Sequence, residues 1–73
     1  MCPNNKEALS KLGEALSELG YKDRAISNYR KVIEIDPKDK EANFQLANTL
    51  FSNGEKKEAI HFYRKIISVD PNC

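Results

Sequence analysis

Shifting the sequence against itself by 34 positions brings like residues together: Ala8 falls on Ala42, Leu12 on Leu46, Leu16 on Leu50, Gly20 on Gly54 and Ala25 on Ala59. The register holds through Ile26 and Ile60, Tyr29-Arg30-Lys31 and Tyr63-Arg64-Lys65, Ile33 and Ile67, and Asp36-Pro37 and Asp70-Pro71, with Pro3 one further period upstream of Pro37. A period of this length marks a helical array in which each unit is one supersecondary element that must stack on its neighbour to bury its apolar face. The 73 residues hold two such units, at about 6–39 and 40–73, in a single domain. A chain this short buries only roughly 60% of the surface it exposes when unfolded, so marginal stability is expected.

Within a unit the pattern divides into two helices. Leu9, Leu12, Leu16 and Leu19 recur at helical spacing before Gly20, and a second set follows with Ala25, Ile26, Tyr29, Val32 and Ile33. Gly20 and Gly54 stand where a helix must end in a left-handed residue, and Pro37 and Pro71 stand where the second helix must stop. The spacing predicts helices near 6–19, 23–35, 40–53 and 57–69, with Asn5 and Asp39 as N-caps of the first and third. The fold class expected is all-α: two stacked antiparallel helix-turn-helix hairpins.

The period, the pairs Leu12-Gly13 and Leu46-Ala47, the mid-hairpin glycines, Ala25 and Ala59, Tyr29 and Tyr63, and the terminal prolines together resemble the tetratricopeptide repeat, over essentially the whole chain. The resemblance implies a segment of a right-handed superhelical α-solenoid. Gly13 and Ala47 are read as small because they face Ala25 and Ala59 where the helices of a hairpin approach closely. Two departures stand out. The position where the family often carries Trp is Leu9 in one unit and polar Asn43 in the other, and the amphipathic helix that usually covers the last repeat is missing. The chain thus reads as an excised or designed fragment.

The resemblance implies that the first helix of each hairpin lines a groove for a protein or peptide partner. On the third helix Phe44, Asn48 and Phe51 share a stripe flanked by Gln45 and Ser52; on the first, the stripe is Ser10, Glu14 and Ser17, flanked by Lys11 and Glu18. In one reading Phe44 and Phe51 anchor the ligand while Asn48 and Gln45 bond its backbone. In the other, the aromatics pack against neighbouring helices. Capture of a C-terminal carboxylate, known for some members of the family, is not expected, because Ser10 and Glu14 stand where that clamp needs Lys and Asn. A rival role is self-association as a homo-oligomer: the uncovered apolar face at Tyr63, Ile66 and Ile67 invites head-to-tail stacking or hairpin exchange.

Composition closes off other classes. Twelve basic and eleven acidic side chains alternate to a net charge of +1, which gives no field for nucleic acid or an anionic membrane. The basic pairs Arg30-Lys31 and Arg64-Lys65 are too few for a patch and read as a solvated face. No apolar run spans a bilayer, and the start Met1-Cys2-Pro3-Asn4-Asn5 has no secretory pattern, so a cytoplasmic location is expected. Cys2 and Cys73, at opposite ends, read as reduced thiols that could bridge stacked copies under oxidising conditions. The single histidine, His61, lies among charged neighbours, with no nucleophile–base pair, metal-ligand spacing or phosphate loop; neither catalysis nor a cofactor or metal is expected.

Overall fold

The computed structural model describes residues 5–69; Cys2, Pro3, Asp70, Pro71 and Cys73 lie outside the described residues. Four helices run in chain order: α1 (Asn5–Glu18), α2 (Lys22–Ile35), α3 (Lys40–Ser52) and α4 (Lys56–Val69). The all-α architecture and the number and order of helices agree with the sequence pattern. Asn5 is a correction, since it is the first residue of α1 and not the residue before it.

Each hairpin closes in the same way. Gly20 and Gly54 sit at φ +94° and +88°, where a Cβ would strain the backbone, and no atom lies within 4 Å of the Cβ each lacks. The Gly20 amide donates to the Ser17 carbonyl and the Tyr21 amide to the Leu16 carbonyl at 2.8 Å; Gly54 and Glu55 repeat this on Phe51 and Leu50. Both pairs form the glycine-terminated cap that satisfies the last carbonyls of a helix. Between hairpins the geometry is different. Asp36 is extended before Pro37, its side chain accepts from the Lys38 amide, and Asp39 caps α3 by accepting from the Ala42 amide at 3.0 Å.

In sequence order, α1 packs on α2, α2 on α3 and α3 on α4, while α1 touches α3 only lightly. The core therefore lies between the hairpins, formed by Ala25, Ile26 and Tyr29 of α2, Leu46, Ala47 and Leu50 of α3, and Ala59 and Phe62 of α4, with Leu16, Ile33 and Tyr63 packed against it. Equivalent positions of the two units differ in burial because, among the described helices, only the inner two are covered on two sides. Leu46 is 0% exposed and its counterpart Leu12 52%; Ile26 is 7% exposed and its counterpart Ile60 49%. Leu12 and Leu19, placed in the apolar stripe of α1 by their spacing, are thus surface residues among the described helices.

One further reading changes. The nearest atoms to the Cβ that Gly13 lacks belong to the Tyr29 ring, Cε1 at 2.9 Å and Cζ at 3.0 Å, and not to Ala25. Gly13 is small because an aromatic ring lies against the α1 backbone. Asn43, which replaces the family's usual aromatic, is buried and donates its amide to the Asp39 carbonyl at 2.8 Å and the Pro37 carbonyl at 3.2 Å. It fastens the start of α3 to the junction that precedes it, a polar substitute for packing.

The junction also holds an ion cluster. Lys6 of α1 reaches both Asp36 and Asp39 at 3.0 Å, so the start of the first hairpin is tied to the start of the second. Burial alone would raise the Asp39 carboxyl, but the Ala42 amide and Lys6 outweigh it and hold it below its ordinary value of 3.8. A depressed folded-state value means that its contribution to stability is complete above the unfolded value and is lost as pH falls through the folded one. Urea midpoints should therefore decline as pH drops below about 4, and Asp39→Asn should flatten that decline.

Candidate functional site

A hollow of about 390 Å³ lies between α1 and α3, lined by Lys6, Glu7, Ser10, Lys11, Glu14, Tyr29, Asp39, Glu41 and Gln45. Helical spacing builds its walls: Glu7, Ser10 and Glu14 follow at intervals of three and four along α1, and Glu41 and Gln45 are four apart on α3. Tyr29 of α2 lines it from beneath, its ring held against Gly13.

Four of the residues expected to line a groove, Ser10, Lys11, Glu14 and Gln45, come together here. The rest of the α3 stripe lies elsewhere. Phe44 meets Tyr63 edge to face with centroids 6.2 Å apart, and it lines a separate apolar hollow with Lys40, Glu41 and Ile66. Asn48 accepts a hydrogen bond from the Tyr63 hydroxyl, and Ser52 donates to the Asn48 carbonyl. Phe51 lies half exposed beneath the Lys56 ammonium at 5.5 Å. Ser17 is half-buried on α1, and Glu18 is exposed. Of the residues expected to drive self-association, Tyr63 and Ile66 are half-buried and Ile67 is exposed. The stripe on α3 therefore turns towards α4, while the stripe on α1 turns towards α3.

Glu7, Glu41, Asp39, Lys6 and Tyr29 were not among the groove residues read from the sequence. The signal for two of them was present: Glu7 and Glu41 are one period apart, each one turn ahead of Ser10 and Phe44. Tyr29 carried none, since its spacing marks it as core.

The hollow is acidic. Lys6 is engaged by two aspartates, which leaves Lys11 facing Glu7, Glu14 and Glu41. Burial pushes the Tyr29 hydroxyl up to about 12, and the nearby charges of Glu14, Glu41 and Glu18 add to the rise. On the opposite face, Arg30 pairs with Glu58 of α4 at 2.7 Å, and Lys65 lies over the Phe62 ring. His61 is exposed, and no group of acidic, histidine or cysteine side chains among the described residues could hold a metal. No described helix is long and apolar enough to cross a membrane.

Two tetratricopeptide repeat models match the sequence, one over residues 23–73 and the other over residues 6–39. The chain belongs to the tetratricopeptide repeat family. Tetratricopeptide repeats generally mediate protein–protein interaction and are typically non-catalytic. Comparison with curated proteins gives no matching relative.

Proposed function

We propose that the chain binds a peptide segment of a partner protein along the hollow between α1 and α3, as a module for protein–protein interaction. The observation that carries this reading is the hollow itself, where convergent polar side chains of α1 and α3 lie over the tyrosine of α2. Ser10, Gln45 and Lys11 supply donors and acceptors suited to a peptide backbone.

Selection of displayed random peptides against the whole chain tests the proposal. Selected peptides should shift the backbone amide resonances of α1 and α3, and Ser10→Trp, which fills the hollow, should lower their affinity by about tenfold or more without changing helical content. Peptides that shift only the outer faces of α2 and α4, or that bind Ser10→Trp equally well, would overturn it.

A further inference from the structure

The Tyr29 side chain is 1% exposed, yet its hydroxyl finds no hydrogen-bond partner in the structure. A polar group so buried is ordinarily paired, and one that is not calls for an occupant. The residue lines the hollow between α1 and α3, so the unpaired hydroxyl belongs to the same site as the carboxylates of Glu14 on one wall and Glu41 on the other. Among the described residues neither carboxylate has a cation paired to it. The site thus offers two anionic acceptors and a phenol oxygen that can accept in addition, on a chain whose overall charge is +1.

We infer that this hollow is a subsite for a positively charged side chain, arginine in preference to lysine, of the bound peptide. The inference rests on the groove reading above and adds the chemistry of the ligand. An anionic side chain would meet Glu7, Glu14 and Glu41 with only Lys11 to offset them, since Lys6 is held by Asp36 and Asp39. An apolar one would strip the water from the carboxylates without replacing it and leave the phenol unpaired. A guanidinium carries five donors in a planar fork, enough to bond one carboxylate from each helix and still reach a third oxygen. An ammonium has three donors and no fork, hence the order of preference.

The test uses the full chain and three blocked pentapeptides, acetyl-Gly-Ala-X-Ala-Gly-amide, with X as arginine, leucine or glutamate, titrated to millimolar concentration while backbone amide shifts are followed. The arginine peptide should shift the amides of Ser10, Glu14 and Gln45, and should do so less as salt is added. Glu14→Gln and Glu41→Gln, at surface positions that keep the helices intact, should each weaken binding about tenfold. Tyr29→Phe, which keeps the packed ring, should weaken it as well. If the leucine or glutamate peptide shifts the same amides as strongly, the cationic subsite is wrong while the groove reading stands. If none of the three shifts them, both fall.

Discussion

Leu46→Ala is expected to destabilise the chain by about 3 kcal/mol, whereas Leu12→Ala at the equivalent position of the first repeat should cost less than about 1 kcal/mol. Helix propensity does not distinguish the two changes, because leucine and alanine are both good helix formers. The difference is burial: Leu46 is enclosed between α2 and α4 at 0% exposure, while Leu12 is 52% exposed. Removing the Leu46 branch leaves a void inside the apolar layer that joins the hairpins, lined by residues held in place from both sides. The total stability of a chain this small is on the order of 5 kcal/mol, so such a loss should leave a visible unfolded fraction in water at room temperature. Urea denaturation followed by the helical signal measures both. Equal costs at the two positions would mean that Leu12 is covered in solution, and a midpoint that rises with protein concentration would then identify a second copy as the cover.

Most of this fold was legible in the sequence because the repeat states each signal twice. A lone glycine is a weak marker, but Gly20 and Gly54 one period apart, each closing a hairpin with a positive φ, give the turn positions directly. Burial was less legible. Periodicity assigns Leu12 and Leu46 the same role, yet the neighbours of a position depend on whether a helix lies on its far side, which the local pattern does not encode. Asn43 is a related case: its polarity departs from the repeat pattern, and the coordinates show its amide bonded to the Asp39 carbonyl one turn back and to the Pro37 carbonyl of the junction. For the candidate site, the resemblance named the helices and spacing grouped their exposed faces, and of those residues Ser10, Lys11, Glu14 and Gln45 line the hollow. Spacing could not find Tyr29, because a core tyrosine and a tyrosine at the base of a hollow have the same sequence signature. What separates them is whether the hydroxyl has a partner, and that requires coordinates.

Gly13→Val should be the second severe change, costing about 3 kcal/mol, and its cause differs from that of a cavity. A Cβ at Gly13 already meets Tyr29 Cε1 at 2.9 Å and Cζ at 3.0 Å, closer than packed carbon atoms ordinarily approach. Alanine there would set a gain of about 1 kcal/mol in helix propensity against the cost of displacing the ring, so its net effect should be small. Valine adds two methyl groups with essentially one rotamer open to them in a helix, and it forfeits most of the propensity gain. The ring cannot swing aside cheaply because Tyr29 is enclosed at 1% exposure in the layer between the hairpins. Tyr29→Leu shortens the side chain that collides, so the double variant should recover about 2 kcal/mol relative to the sum of the single changes, a coupling that a double-mutant cycle reads directly. Additive costs would show that the two residues do not meet. The same contact governs the proposed subsite, because the ring that Gly13 admits is the one that carries the hydroxyl to the hollow. Under conditions where Gly13→Val remains folded it should also lose the arginine-peptide shifts at Ser10 and Gln45, which Leu12→Ala, on the exposed side of the same helix, should retain.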